Sequence, residues 1–431
     1  MSRVVTVTSI ALERDSRSLK FAASAARLGH ESIVVEGERS TLLADDLPIE
    51  LISPPEPGPE ASTRADGAPT DAEPEGSDAG EGPVPRRVLL GRRLPRFVAA
   101  PIKSLLRLSP RNFLLTVRGY VAYFRQRNRE TEAMLPDGDV YWLHGFWQYT
   151  AVRRKAKQLG ARFLYDTPDA YWEPGQTIAV DRGTRVAMRI YEAIEKRCIR
   201  RAEAFSSVGV GVAGLLERRF GRRPVVIRNF QDLRLDRAPE RELRADCGAG
   251  PDQFLMVMVG NRKPGTTVAE GLEALRRLPD RVGIAFLGRN WDDVRELAAE
   301  MGLSERVHFP DPVAPTEVSG YIRGADAAPV LYRAASTNYL YCLPNGLFHA
   351  VAAGIPVLYP QLPEIQALAA EHELGVEMDA DDPDSIAAAV RTLLDDPALL
   401  ARFRRSIAAA REKLNWEQEE RKLAEILAGT D

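Results

Sequence analysis

The chain has 431 residues, of which 45% are hydrophobic and 28% charged, and its 58 lysines and arginines against 61 acidic residues give a net charge of -3. This length predicts two or three domains, and the composition is typical of globular proteins, which excludes a wholly disordered chain and a membrane protein. The near-neutral charge argues against a generally basic nucleic-acid binder. We therefore expect small-molecule partners and no nucleic acid.

Three cysteines, Cys198, Cys247 and Cys342, are widely separated along the chain. Their odd number and spacing predict neither a disulfide framework nor a paired-cysteine metal cluster, and favour a reducing compartment. The short apolar stretch at the start meets charged residues from Glu13 onward, so it does not resemble a signal peptide. No apolar run approaches the roughly 20 residues that a membrane-spanning helix needs. The expected location is the cytoplasm.

The first half of the chain alternates between strand and helix patterns. A β-branched strand over Val4–Thr8, a helical pattern over 12–30 and a strand over 31–38 predict an opening βαβ unit. Strand, loop and helix patterns repeat over 137–230, which is typical of a parallel sheet. Residues 53–87 are dominated by proline, glycine, serine and acidic residues, so we expect a disordered acidic insertion there.

The stretch over 86–128 is basic and amphipathic, with apolar residues every three or four positions. Two interpretations are open. The basic face is a surface for weak contact with anionic lipid or for an anionic acceptor, or it belongs to ordinary solvated helices screened by the acidic insertion. The second interpretation is the commoner case for such a charge run.

A second series of strand and helix patterns begins near Phe254. With the irregular, charged stretch around 231–250 as the connection, the simplest organisation is two doubly wound α/β domains in tandem. We place an N-terminal Rossmann-like domain at 1–230 and a C-terminal one at 231–410. The amphipathic pattern over 411–431 predicts a helix that packs back on the first domain.

In two facing sheets of this kind, ligands bind outside the carboxyl ends of the strands, in the cleft between the domains. Neither a GxGxxG nor a GxxxxGK[ST] loop occurs between a strand and a helix, which argues against a nicotinamide dehydrogenase and a P-loop ATPase. Pro344, Asn345 and Gly346 stand where a loop turns into a helix, so backbone N–H groups there can bind a diphosphate. A proline at this position is also an ordinary helix-start signal.

Residues 344–389 carry the most specific pattern, PNGLFHAVAAGIPVLYPQLPEIQALAAEHELGVEMDADDPDSIAAA. This segment resembles the hallmark of the retaining glycosyltransferases of the GT-B fold, family 4, also called group 1. The resemblance continues over 255–332 and, more weakly, in the first domain through RDSRSLKFAASAARLGHESIVV, DVYWLHG, FLYDTPDAYWE and PVVIRNF. It implies two Rossmann-like domains facing a central cleft, a nucleotide-sugar donor on the second, an acceptor on the first, and sugar transfer with retention.

The chain departs from the family pattern at its glutamates. The family usually has two, with seven residues between them, that contact the donor sugar and ribose. The matching positions here are Tyr341 and His349. The loss of both carboxylates favours an unusual donor sugar, as in specialised metabolism.

The family's phosphate-binding cations are also replaced, by Asn261 and Thr266. Arg262 and Lys263 lie in the same loop, so they can supply the positive charge for the diphosphate. The alternative interpretation of this pair is a solvated turn.

Several first-domain residues follow strands. His144 is either a contact for the acceptor or donor sugar or a structural histidine packed among aromatic residues, and those aromatics can form a platform for a ring. Pro168 stands where the family often has a histidine, and Asp169 follows it. Asp15 and Arg17 come after the first strand, where helix capping is the expected role of Asp15.

These observations define a candidate site in three parts. Its catalytic residues are His144, Asp169 and His349; its donor-binding residues are Gly260, Asn261, Arg262, Lys263, Gly288, Pro310, Tyr341, Pro344, Asn345, Gly346 and Leu347; its acceptor-side residues are Asp15, Arg17, Phe146 and Trp147. We expect no metal site and no cofactor other than the nucleotide-sugar co-substrate.

The sequence thus predicts an enzyme that moves a sugar from a nucleotide-diphosphate donor to a small-molecule acceptor. Two alternatives stay open. One keeps the fold but changes the reaction to epimerisation or hydrolysis of the nucleotide sugar. The other is a catalytically silent homologue that acts as a binding or partner subunit, since function depends on the site and not on the fold.

Overall fold

The computed structural model describes residues 1–41, 47–55, 110–173 and 182–429. From position 56 onward, the predicted acidic insertion at 53–87 lies outside the described residues. The part of the basic stretch at 86–128 that precedes position 110 also lies outside the described residues.

The first domain is built on a seven-stranded sheet whose neighbouring strands are all parallel. Its strands are β1 (Arg3–Val7), β2 (Glu31–Val35), β3 (Glu50–Ile52), β4 (Val140–His144), β5 (Arg162–Asp166), β6 (Phe205–Ser207) and β7 (Val225–Val226). The order across the sheet is β3-β2-β1-β4-β5-β6-β7. Strand addition therefore reverses direction between β1 and β4, which is where sheets of this type bind ligands.

Helices connect β1 to β2 and each pair of consecutive strands from β3 to β7, which supplies the crossovers that parallel pairing requires. They are α1 (Ser16–Arg27), α2 (Pro110–Met134), α3 (Tyr149–Leu159), α4 (Arg182–Arg201) and α5 (Val210–Phe220). A single 3-10 turn, Leu12–Arg14, precedes α1. Asp15 caps α1 by accepting the Ser18 backbone N–H at 3.0 Å. This cap fixes the start of α1 next to the carboxyl end of β1.

The second domain repeats the same architecture. One parallel sheet contains β8 (Phe254–Val259), β9 (Val282–Leu287) and β10 (Val307–His308), and another contains β11 (Ala328–Pro329), β12 (Val357–Pro360) and β13 (Gly375–Met378). A parallel bridge between Met256 and Ala327 joins them. The helices are α6 (Leu243–Asp246), α7 (Val268–Arg276), α8 (Asp292–Glu300), α9 (Val318–Tyr321), α10 (Thr337–Leu340), α11 (Asn345–Ala353), α12 (Pro363–His372), α13 (Pro383–Leu394) and α14 (Pro397–Arg411).

The last helix, α15 (Trp416–Ala428), packs on the first domain. Trp416 is fully buried beside Phe21, and its indole N–H donates to Ser24 Oγ at 2.7 Å. Lys422 of α15 donates a hydrogen bond to the Val226 carbonyl at 2.9 Å. Lys20 of α1 donates to the backbone carbonyls of Asn229 and Phe230. The segment that leaves the first sheet is thus held by α1 and α15. In the described part of the chain, no helix has the length and apolarity to cross a bilayer.

Candidate functional site

A cleft lies between the two domains, where the carboxyl ends of their parallel strands face each other. Segments that follow β1, β4, β5 and β6 form one wall, and segments that follow β8 and β11 form the other, together with the start of α11. The lining residues are Ile10, Arg14, Asp15, Ser16, Arg17, His144, Gly145, Asp166, Pro168, Asp169, Tyr171, Val208, Val212, Asn229, Lys263, Tyr332, Asn338, Tyr339, Tyr341, Cys342, Leu343, Pro344 and Asn345.

Asp166 is the charged centre of the first-domain wall. It ends β5, is fully buried, and accepts hydrogen bonds from Arg17 Nε and Nη2 at 2.7 Å each. Ser206 Oγ donates to it at 2.5 Å, and His144 Nδ1 lies 3.4 Å from Oδ2. Burial alone raises the pKa of a carboxyl group, but the Arg17 charge and the hydrogen bonds outweigh burial and hold the pKa of Asp166 well below its usual range.

His144 is oriented by this carboxylate. The residue is 6% exposed, and its ring packs edge-on against Phe21 with centroids 4.8 Å apart. Because ionised Asp166 can only accept, Nδ1 carries a proton. Nε2 has no hydrogen-bond partner among the described residues. Of the two ring nitrogens, Nε2 is therefore the one that can bond to a ligand.

The other acceptor-side residues of this wall are engaged in structure. Asp15 accepts from Thr8 Oγ1 at 2.7 Å in addition to capping α1, and Arg17 holds Asp166. Asp169 lines the cleft from the loop that follows β5. Next to it, the Ala170 N–H donates to Asn338 Oδ1 of the second domain at 2.9 Å. The loop after β5 is thus fixed from both domains.

The second-domain wall brings a cation close to the start of a helix. Lys263 follows β8 and lines the cleft with Pro344 and Asn345, where α11 begins. Gly346 lets α11 approach β8, because a Cβ there would lie 2.5 Å from the Val259 carbonyl oxygen. Backbone N–H groups at a helix start, the helix dipole and a lysine can together bind a diphosphate.

Aromatic side chains form much of the remaining second-domain wall. Tyr341, at a position where the resemblance implies a glutamate, packs so closely on α5 that a Cβ on Gly211 would lie 2.1 Å from Cδ1 of its ring. Tyr332 and Tyr339 have ring centroids 5.7 Å apart, and Tyr339 donates to the Pro264 carbonyl at 2.5 Å. This wall therefore has apolar faces where the family pattern has a carboxylate.

Arg262 is not among the residues that line the cleft, and its phosphate contact stays a prediction. Its Nε pairs with Asp293 at 3.0 Å and its Nη1 donates to Thr266 Oγ1 at 2.6 Å. Asn261 accepts the Arg289 backbone N–H at 3.0 Å. From this loop, the cation that reaches the cleft is Lys263.

Other predicted donor residues lie behind the lining. Gly288 allows β8 and β9 to converge, since a Cβ there would lie 2.2 Å from the carbonyl oxygen of Gly260. Leu347 is fully buried in the second-domain core. The residues absent from the lining are Gly260, Asn261, Arg262, Gly288, Pro310, Gly346 and Leu347.

His349 of α11 is not among the residues that line the cleft, and its catalytic contact stays a prediction. It is 8% exposed, and its Nδ1 lies 3.2 Å from Ser319 Oγ of α9. Burial, with the nearby Lys20 charge, lowers the pKa of His349 to about 3. The ring is a neutral packing residue between α9 and α11.

Phe146 and Trp147 also differ from their predicted role as a sugar platform. They are 0% and 2% exposed, and their rings pack against each other and against Tyr191 of α4. A stacking platform needs an open ring face, which these residues lack. They form the aromatic core beneath the cleft wall.

Sequence reasoning passed over Asp166, although it ends a predicted strand beside Asp169. Its position in the YDTPD segment could have identified it as a candidate, because the carboxyl end of a buried strand is where such sheets bind ligands. The described residues contain no cluster of three or more histidine, cysteine, aspartate or glutamate side chains placed to hold a metal ion.

Residues 253–396 match the family described as "Glycosyl transferases group 1". Among curated proteins, D-inositol 3-phosphate glycosyltransferase 1 of Catenulispora acidiphila is 27% identical over 202 residues, 43% of this chain and 47% of that protein. D-inositol 3-phosphate glycosyltransferase of Corynebacterium glutamicum is 29% identical over 192 residues, which are 42% of this chain and 44% of that protein. The match thus spans less than half of the length of these relatives.

Solved structures resemble the whole chain. Anabaena HepE in complex with UDP-glucose has a TM-score of 0.64 at 14% identity, covering 99% of this chain and 100% of that one. WaaG, a glycosyltransferase involved in lipopolysaccharide biosynthesis, has a TM-score of 0.60 at 15% identity, with coverage of 99% and 100%. At these identities the likeness shows the fold. The chain therefore has the two-domain GT-B fold, and its residues 253–396 are similar to the group 1 glycosyl transferases.

Proposed function

We propose that this protein transfers a glycosyl group from a nucleoside diphosphate sugar to a small hydroxylated acceptor, with retention of anomeric configuration. The observation that carries the proposal is the pairing of two walls across one cleft. One wall offers the His144–Asp166–Arg17 group, and the other offers Lys263 beside the start of α11.

The second-domain wall suits the diphosphate of a donor. Lys263 supplies a positive charge, and the N–H groups at the start of α11 can donate to phosphate oxygens. Charge builds on the departing diphosphate as the glycosyl bond breaks, so groups fixed in advance at that position lower the barrier. Solved relatives in fold hold UDP and UDP-glucose, which makes uridine nucleotides the first to test.

The reaction we propose needs no protein nucleophile. The departing diphosphate takes the proton of the acceptor hydroxyl on the same face of the sugar from which it leaves. His144 Nε2, on a ring held by Asp166, forms a hydrogen bond with a hydroxyl of the bound sugar or acceptor and so fixes its position. Asp169 lies on the same wall, where it can accept from an acceptor hydroxyl.

The acceptor is expected on the first-domain wall, near Arg14, Ser16 and Asp169. The curated relatives take their names from inositol 3-phosphate. Arg14, which pairs with Glu38, lines this wall and can also contact an acceptor phosphate, so inositol phosphates are the first acceptors to test.

The test is a screen of UDP, GDP, dTDP and ADP by thermal shift, followed by incubation of the matching nucleotide sugars with inositol phosphates and mass spectrometry. A ligand present at 100 times its Kd stabilises the folded protein by about 2.7 kcal/mol, so one nucleotide is expected to raise the Tm clearly. A product with the mass of the acceptor plus one sugar supports the proposal. Nucleotide binding without any transfer supports the silent binding subunit instead.

A further inference from the structure

Beneath the loop that carries Asp169 lies a buried carboxyl group that the proposed reaction does not use. Glu195 of α4 is fully buried. Its Oε1 lies 2.7 Å from Thr167 Oγ1 and 3.3 Å from the Tyr165 hydroxyl. Its Oε2 has no hydrogen-bond partner among the described residues. Among the described residues, its hydrogen-bond partners are thus hydroxyl groups and not a basic side chain.

The Thr167 hydroxyl contacts two oxygen atoms but has only one hydrogen to donate. Thr167 Oγ1 also lies 3.0 Å from the Asp169 carbonyl oxygen. That oxygen can only accept, and the threonine hydroxyl has a single hydrogen, so Thr167 can donate to the Asp169 carbonyl or to Glu195 but not to both. When Thr167 donates to the Asp169 carbonyl, the hydrogen in the shorter Thr167–Glu195 contact comes from Glu195. A carboxylate has none to give, so both hydrogen bonds form together only when Glu195 is a neutral acid.

The surroundings favour this neutral form. Burial is the largest influence; the hydroxyls of Thr167 and Tyr165 oppose it and the carboxylates of Asp169 and Glu192 add to it, and together they raise the pKa of Glu195 to about 8. Tyr165 on β5 and Cys198 on the same helix are the other titratable groups against it, and burial raises the pKa of both. Each of them is therefore uncharged at neutral pH.

We propose that Glu195 is a positioning residue that acts as a hydrogen-bond donor: it holds Thr167, which holds the Asp169 backbone against the cleft. When Glu195 loses its proton, the Thr167 hydroxyl turns toward the carboxylate and releases the Asp169 carbonyl. The loop after β5 then loses its fixed position on the first-domain wall. For its effect on catalysis, this inference rests on the proposed transfer reaction.

Glu195→Gln is the decisive variant, because an amide has the shape of the neutral acid and can donate from Nε2. We expect kcat within about twofold of wild type at pH 7 and no decline as the pH rises toward 10, whereas wild type declines above about pH 8. Glu195→Ala removes the donor and lowers kcat about tenfold or more at every pH. The matched control is Glu192→Gln on the same helix, whose carboxylate pairs with Arg219 at the surface. It retains the alkaline decline, moved slightly to lower pH because the Glu192 charge that raises the pKa of Glu195 is lost.

A second measurement does not depend on transfer. The infrared carbonyl band of a protonated carboxylic acid is expected in wild type at pH 7, absent in Glu195→Gln and lost from wild type as the pH rises. A missing band, a tenfold loss of kcat in Glu195→Gln, or an alkaline decline that persists in that variant overturns the inference. If wild type shows no transfer, the proposed function fails while the band and its pH dependence still decide the state of Glu195.

Discussion

The Glu364 carboxylate of the second domain accepts a hydrogen bond from the Gly211 backbone N–H, at the start of α5 in the first domain. A Cβ on Gly209 would lie 3.4 Å from Glu364 Cδ, so the carboxylate sits within the first turn of that helix. The helix dipole favours a negative charge at this end. The contact therefore stabilises the arrangement in which the two walls of the cleft face each other.

We expect Glu364→Gln to loosen this arrangement, because a hydrogen bond to a charged group contributes about 1.5–3 kcal/mol and the amide carries no charge. The radius of gyration from small-angle scattering should rise, and KM for the donor should increase more than kcat falls. Glu371→Gln on the same helix is the control, since that side chain is 74% exposed. An unchanged radius of gyration in Glu364→Gln would contradict this role.

Lys263→Ala should weaken binding of the nucleoside diphosphate by about 1.5–3 kcal/mol and leave nucleoside binding almost unchanged, because the lysine is placed to contact phosphate. Arg262→Ala is the neighbouring control. Its side chain pairs with Asp293, so its loss should have a smaller effect. Isothermal calorimetry with both ligands measures the difference, and equal losses for diphosphate and nucleoside in Lys263→Ala would remove the phosphate assignment.

Asp166→Asn should destabilise the fold by about 3–5 kcal/mol, because it leaves the buried Arg17 charge without its partner. In wild type, the depressed pKa of Asp166 adds stability that is present above the unfolded pKa of about 3.9 and lost as the pH falls below it. Tm measured against pH should therefore fall less steeply in acid for the variant. Equal acid slopes would show that Asp166 is not ionised in the folded protein.

His349 should influence stability and not the chemical step. Its folded pKa lies below that of the unfolded chain, so the unfolded state binds the extra proton and stability falls as the pH drops from about 6.5 toward 3. His349→Asn, which cannot be protonated, should reduce this acid loss while kcat at pH 7 stays within about twofold. A large drop in kcat with an unchanged Tm would return His349 to the catalytic site.

The alternating pattern of buried strands and helices was enough to predict the parallel α/β architecture, because both periods are local properties of the chain. Strand ends could also be located, and so His144, Asp169, Lys263 and Asn345 were identified as candidates and lie in the cleft. Side-chain direction was not predictable in the same way. Lys263 and its neighbour Arg262 differ by one position, and only the loop conformation decides which of them reaches the cleft.

Partners far apart in sequence were likewise beyond local reasoning. Arg17 and Asp166 are 149 positions apart, and their pairing depends on the strand order of the folded sheet. His349 stands at a glutamate position of the family pattern, but the rotation of α11 buries it against Ser319. Such contacts appear only when the elements are packed together.

Proton NMR of the purified protein with the matching nucleotide sugar and acceptor tests the central proposal most directly. It follows the loss of donor and the appearance of product, and the anomeric coupling reports the configuration of the new bond. We predict a transferred sugar with the anomeric configuration of the donor, formed by wild type and strongly reduced in Lys263→Ala. An inverted product, or a donor that is only epimerised or hydrolysed, would contradict it.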